Sequence, residues 1–528
     1  MLQSTLWPSM LCPMPAQMSR LSVALPPIAV IVVVALTLGF SSSVNPSTTP
    51  DIARHQVRTV NASASAHGRT DDTVDPVSER LSAPVMAARP NDGWVFTGRN
   101  IKWSTQESPN SPVCHTVRPI CVHWTDNGDD APPAADSDGD DIPDQAESTL
   151  AAAGTSWNVI VNQLGFRAPL ADRRSRINGG GPKFDIYLAD TGAKGLSGYT
   201  SSDDRRLTKK SDYKYRDVSA FTVVDNDFRA GQFPDGTPFD NMRVTVAHEL
   251  SHASQFAYDY KEDRWFSEGT ATWVEDEVFD DINLNRDALK QSPLSKNFTS
   301  LDFGRNGHEY GSWIFLRYLS EKFGTDIIKR AWRFADDSAT QVSTDRMKTF
   351  SMRALGRAVH EQKSDLGKQF SLFARDNLRP AKTYEEGDTY PKPTAFTIGL
   401  NKGDDTGWQG VANDHLSTTY VTYLPGDNVR RTGTIKILFN GPYRKFGPRV
   451  LITVRFTSGK SHNFAMKLDR KGDGAKRVGF GRNKVAGVDV SIVNTSTRMR
   501  DCFKHSTPYS CSGTPKDDQR PVHIRARL

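Results

Sequence analysis

Two histidines four residues apart, with an acid directly after the first, stand in the run Val244-Thr-Val-Ala-His248-Glu249-Leu-Ser-His252. On a helix, positions four apart share a face. His248 and His252 can therefore turn both imidazoles toward one Zn²⁺ about 2.0–2.1 Å away. Glu249 neighbours the first ligand and suits the role of general base toward a metal-activated water. A tetrahedral metal with three protein ligands keeps one position for water, which is the catalytic rather than the structural arrangement. The third ligand is expected downstream on another element. Glu268, in Trp265-Phe-Ser-Glu268-Gly-Thr-Ala-Thr-Trp273, follows His252 at a distance that allows a turn and the start of an antiparallel helix. Ligating histidines usually give their other N–H to a carboxylate. Glu275 shares a helix face with Glu268 and is the candidate for that partner, with Asp276 as the alternative.

A second group of oxygen donors lies in Asp136-Ser-Asp138-Gly-Asp140-Asp-Ile142-Pro-Asp144-Gln-Ala-Glu147. The spacing fits a twelve-residue calcium loop, with carboxylates from Asp136, Asp138, Asp140, Asp144 and Glu147 and the backbone carbonyl of Ile142. One position departs from that pattern. Asp141 stands where the sharp turn prefers Gly. The competing reading is an acidic linker.

Several elements must position these groups. Ala146, Leu150, Ala153, Trp157, Ile160 and Leu164 recur at helical spacing and predict a helix from Asp144 to Gly165. Phe184–Leu188 and Ala220–Val224 read as strands. A helix over about 241–258 carries the histidines. Further helical patterns run to about 378, including Tyr310–Phe323, which stops at Gly324. From about 395 the pattern changes to short β-branched and aromatic runs, among them 419–424, 434–439, 450–456, 462–468 and 488–493, which suggest a β-sandwich.

The frame Asp263-Arg-Trp-Phe-Ser-Glu-Gly-Thr-Ala-Thr-Trp273, together with His248-Glu-Leu-Ser-His252 and Tyr310-Gly-Ser-Trp-Ile-Phe315, resembles the gluzincin metallopeptidases, and in particular a family of secreted bacterial metalloproteases. The resemblance runs from about 122 to 332 and more weakly into the C-terminal strands. It implies an α+β fold: a zincin-like catalytic domain, with a sheet subdomain over the HExxH helix and a helical lower subdomain, followed by an all-β sandwich. It points to Tyr310 as the hydroxyl that stabilises the reaction's oxyanion, with His308 in reserve. On the same reading Phe221–Val224 is the edge strand to which an extended substrate adds. The chain lacks the G-x-M-E-N motif with which the aminopeptidase branch captures a free amino terminus, so endopeptidase action is expected.

Composition bounds the rest. Of 528 residues 37% are apolar and 24% charged, which excludes a polytopic membrane protein, a collagen and a wholly disordered chain. The net charge of +6 hides an asymmetry. Residues 429–528 hold 22 basic against 6 acidic side chains, a net of +16, and the remainder is net −10. This basic module suits an anionic cell-surface polymer and carries no motif for a specific nucleic acid. The apolar run 28–40 follows Arg20 and ends in small residues, so 1–43 reads as a secretory signal peptide or an N-terminal anchor, and only the anchor would tie the chain to a membrane. Residues 44–92, rich in Ser, Thr, Ala and Pro, read as a disordered linker or pro-segment. On an exported chain, Cys114 with Cys121 and Cys502 with Cys511 are expected as local disulfides.

The organisation expected is thus a zincin-like domain over 93–390, with its calcium loop near 136–147, and a basic β-sandwich over 395–528. The activity expected is a secreted or cell-surface zinc endopeptidase acting on protein or peptide, with zinc and calcium as its metals. A catalytically silent surface-binding protein and a zinc hydrolase of a non-peptide amide are the alternatives. Intact Glu249 speaks against the silent one, because a scaffold has no need of that base.

Overall fold

The computed structural model describes residues 112–528 apart from 127, 176–177, 209–215 and 337–348. The expected leader or anchor (1–43) and linker (44–92) lie outside the described residues. The described chain is mixed α+β, with an all-β region at its C-terminal end. No described helix is long and apolar enough to cross a membrane.

The first sheet contains β1 (Val113–Cys114), β2 (Ile120–His123), β3 (Phe184–Ala189), β4 (Gly198–Ser201) and β5 (Phe221–Asp225), in the order β1-β2-β3-β5-β4. β2, β3 and β5 run parallel, whereas β1 and β4 close the two ends antiparallel. Every residue of β2, β3 and β5 is buried. Burial on both faces accounts for their largely apolar, non-alternating composition. Cys114 and Cys121 face each other across β1 and β2 and are joined by a disulfide.

Beneath this sheet lie α1 (Asp144–Trp157), which continues into a π-helical turn over Asn158–Gln163, and α2 (Pro238–Gln255). α2 begins where local chemistry favours a start. Thr237 accepts from the Asp240 N–H at 3.1 Å, and Pro238 occupies the first helical position, where its missing N–H costs nothing. The helix buries Met242, Val246, Ala247, Leu250 and Ala253. α3 (Arg264–Val278) packs on α2, and below it follow α4 (His308–Gly311), α5 (Trp313–Phe323), α6 (Asp326–Ala335), α7 (Ser351–Glu361) and α8 (Leu366–Asp376). Trp265, Phe266, Trp273, Trp313 and Trp332 fill this helical layer and are almost fully buried.

Most of the described C-terminal strands form two facing sheets, while β14 (Met499–Arg500) and β15 (Thr514–Pro515) pair with each other on either side of residues 502–513. One has the order β11-β10-β13-β8-β6, from β6 (Ala395–Leu400), β8 (Ser417–Pro425), β10 (Pro448–Phe456), β11 (Ser461–Ala465) and β13 (Val485–Asn494). The other has the order β12-β9-β16-β7, from β7 (Gln409–Asn413), β9 (Thr434–Asn440), β12 (Gly474–Gly479) and β16 (Arg520–Arg527). β9 alternates as a half-buried strand should, with Ile435, Ile437 and Phe439 inward. β13 does not alternate, because α8 packs on the outer face of its sheet while Val488, Val490 and Ile492 fill the sandwich core. Leu416, Val493, Met499 and Cys511 belong to the same apolar core as the helices. Many of the basic residues, including Arg430, Arg431, Arg444, Lys445, Arg470, Lys471 and Arg477, lie on exposed surface.

The edge strand is a correction to the sequence reading. Phe221–Val224 lies inside the sheet, between β3 and β4, so its backbone groups are already paired. β4 is the edge. A short Gly-Tyr-Thr-Ser segment carries too little apolar pattern to announce a strand, and only its pairing with β5 shows it to be one.

Candidate metal centre

The helix α2 brings His248 and His252 onto one face, and α3 brings Glu268 to the same point. His248 Nε2 lies 3.1 Å from His252 Nε2 and 3.3 Å from Glu268 Oε2, and His252 Nε2 lies 3.2 Å from Glu268 Oε2. Ligands at about 2.0–2.1 Å on a tetrahedral zinc stand roughly 3.3–3.4 Å apart. The three donor atoms therefore fit one such ion with little movement.

The far sides of both imidazoles are held. His248 Nδ1 is 2.6 Å from Glu275 Oε1, as the helix-face argument expected, and His252 Nδ1 is 3.0 Å from Gln255 Oε1. Ser267 donates to that same Gln255 oxygen at 2.5 Å. These contacts present Nε2 of each ring to the shared point. Asp276, the alternative partner, faces away from the histidines. It pairs with Arg317 at 3.1 Å and accepts from Asn285. Burial alone would raise the Glu268 carboxyl, but His252, His248 and Arg264 hold it well below the usual range, so it is an anionic donor.

Glu249 sits beside this trio under the edge strand. The Thr200 hydroxyl on β4 lies 2.8 Å from Glu249 Oε2 and 2.9 Å from the Glu249 carbonyl. It also meets Thr222 at 2.7 Å. Burial raises the Glu249 carboxyl; His252, His248 and Thr200 oppose that rise. The approach of β4 to α2 requires Gly198. A Cβ there would come within 2.9 Å of Thr245 Cγ2 and 3.3 Å of Glu249 Cγ.

Tyr310 and Arg264 complete the group. The Tyr310 ring centroid lies 6.0 Å from that of His248, and its hydroxyl is 3.4 Å from Arg264 Nη2. Burial, reinforced by Glu268, pushes the Tyr310 hydroxyl well above its ordinary value, so it keeps its proton and remains a donor. Arg264 donates to Glu309 at 2.9 Å and lies 3.9 Å from Glu268 Oε1. His308, the reserve for the oxyanion, is placed elsewhere. It is buried, faces Phe303, and is not among the residues lining the cleft. At the start of a short helix, two residues separate side chains by roughly 200°, so His308 and Tyr310 cannot both face the metal donors.

The three donor residues, with Thr200, Glu249, Arg264, Ser267, Glu275 and Tyr310, line a cleft of about 770 Å³. Gly195–Ser197 and β4 border it on one side, and Ser506–Tyr509 and Ser512 from the C-terminal region border it as well. Thr200, Gln255, Arg264, Ser267 and the C-terminal loop are the members that sequence reasoning missed. Of these, only Gln255, Arg264 and Ser267, close in sequence to the ligands, carried any local signal.

The expected calcium loop is assembled in part. Carboxylate oxygens of Asp136, Asp138 and Asp140 lie within 4.8 Å of one another on exposed surface. Asp144 and Glu147 are not in that group, and Asp144 accepts from the Ser137 N–H and hydroxyl at 2.8 and 2.7 Å. Asp141 adopts the left-handed conformation, φ 66°, that the turn demands. The Ile142 N–H donates to Asp140.

An α+β chain with two histidines and a glutamate converging in a cleft is thus defined. Residues 94–365, just over half of the chain, match a family of unknown function (DUF6055), and the chain belongs to that family. No curated protein matches. Among solved structures, the pre-peptidase C-terminal domain of a collagenase from Bacillus anthracis is 13% identical, over 25% of this chain and 95% of that one, with a TM-score of 0.15. CorA, a surface-associated copper-binding protein of Methylomicrobium album BG8, is 12% identical over 25% of this chain and 98% of that one, with a TM-score of 0.14.

Proposed function

We propose that this chain is an exported zinc-dependent endopeptidase with a zincin-like catalytic region. The observation that carries the reading is the convergence of His248 Nε2, His252 Nε2 and Glu268 Oε2 within 3.1–3.3 Å, with the Glu249 carboxylate beside them. Zinc bound there would polarise the substrate carbonyl and lower the pKa of a coordinated water.

The protein's own groups supply the remaining parts. An extended peptide lies in the cleft that β4 borders, across the zinc-binding group. The Glu249 carboxylate takes the proton of the attacking water and passes it to the leaving amine. The Tyr310 hydroxyl donates to the oxygen that gains charge, and Arg264 holds Tyr310 and Glu268 in place. Export is supported by the disulfides Cys114–Cys121 and Cys502–Cys511 and by the apolar N-terminal run. The Asp136, Asp138 and Asp140 group would take calcium at extracellular concentration, and the exposed basic face of the β-sandwich would hold an anionic surface polymer. The test is hydrolysis of casein or of a quenched peptide by the purified protein, with chelator and zinc add-back. Hydrolysis that persists unchanged after zinc is stripped refutes the reading.

A further inference from the structure

The C-terminal region reaches the cleft through a single loop. Residues 502–513, closed by the Cys502–Cys511 disulfide, bring Ser506, Thr507, Pro508, Tyr509 and Ser512 to its lining. The loop is pinned there by buried contacts. The Cys511 N–H donates to both Asp263 oxygens, at 2.7 and 2.9 Å, and Asp263 itself borders the cleft just before α3. The Ser510 N–H donates to Asp302 at 3.1 Å, and its hydroxyl accepts from Trp265 at 3.0 Å. The Pro508 carbonyl accepts from the Gly304 N–H at 2.7 Å. Tyr509 packs between Phe303 and His415, and His415 sits 2.7 Å from each of Asp302 and Asp518. Segments held this way are walls rather than tails, because opening them would strand several buried polar groups at once.

We infer that this disulfide-closed loop is one wall of the substrate cleft and, with Arg305, selects the side chain that lies against it. The inference rests on the peptidase reading above and names a specificity determinant for it. Ser506 is exposed on the loop and lines the same cleft, so bulk added there takes up substrate volume. Arg305 follows Gly304, lines the cleft, is exposed, and makes no ion pair among the described residues. Its guanidinium favours an acidic side chain at that subsite over a basic one.

The experiment uses the full-length, zinc-loaded protein and quenched peptides that carry Glu or Lys at each position in turn. Wild type should prefer Glu at one position by about fivefold in kcat/KM, in keeping with an exposed charge pair. Arg305→Glu should reverse that preference. Ser506→Trp should depress, by about tenfold and mainly through KM, the peptides with bulky residues at the same position. Zinc content and melting temperature should stay unchanged in both. Ser461→Trp, on an exposed strand that does not line the cleft, serves as the control and should keep the wild-type profile. If wild type cleaves and both cleft variants reproduce its profile, the wall has no selecting role and the peptidase reading survives. If zinc-loaded wild type cleaves no peptide, the reading of the site fails and the inference falls with it.

Discussion

Thr200→Val tests how the proposed base is held. Valine has nearly the same shape as threonine, so β4 keeps its packing while Glu249 loses the hydroxyl at 2.8 Å. A hydrogen bond to a charged group contributes about 1.5–3 kcal/mol. If the Thr200 contact serves to aim Glu249, its loss should cost about 10- to 150-fold in turnover, since roughly 1.4 kcal/mol is a factor of ten. The second contact, to the Glu249 carbonyl at 2.9 Å, adds a stability loss of about 1 kcal/mol and leaves Thr222 to find another partner. The assay is kcat and KM on a quenched peptide, with zinc measured on the same samples. Thr200→Ser should retain most activity, because it keeps the hydroxyl. Turnover of Thr200→Val within twofold of wild type, at equal zinc content, would show that the hydroxyl positions nothing that matters to the reaction.

Glu249→Gln should keep zinc and the melting temperature yet lose about 10²–10⁴-fold in kcat, because the ligands remain and the base does not; activity within tenfold would remove Glu249 from that role. Glu275→Gln should weaken zinc affinity by about 10- to 100-fold, read by competition with a chromogenic chelator, through loss of the charge on His248 Nδ1. His415→Asn should destabilise the protein by about 3–5 kcal/mol in urea unfolding at pH 6, since it leaves buried Asp302 without its cation. Burial opposes the His415 charge, but Asp302 and Asp518 raise its pKa to about 10. The folded value is above the ordinary 6.5, so this stabilisation is complete below about pH 6.5 and is lost as pH rises through about 10. The gap between wild type and His415→Asn should therefore narrow over that interval, and a gap that widens would reverse the assignment.

What the sequence determined by itself was local. The i, i+4 geometry of a helix is a property of any helix, so His248 and His252 were readable as one pair, and Glu268 with Glu275 as another. The break from helical to alternating patterns near 395 was readable for the same reason, since periodicity reports which faces are buried. The local cysteine spacings announced both disulfides. What only the tertiary structure decided were relations across long stretches of chain. Nothing in Gly198–Ser201 marks it as the edge strand, because edge or interior is settled by which strand pairs next, and Phe221–Val224 took the interior place. Thr200 meets Glu249 only because that edge lies over α2. His308 and Tyr310 differ by two positions on a short helix, and the packing of that helix chose which one faces the histidines. The Cys511 N–H and the Asp263 carboxylate are 248 residues apart in sequence. No local pattern carries such a contact, because it exists only once the C-terminal sheets have packed against the helices and the loop has been carried to the cleft.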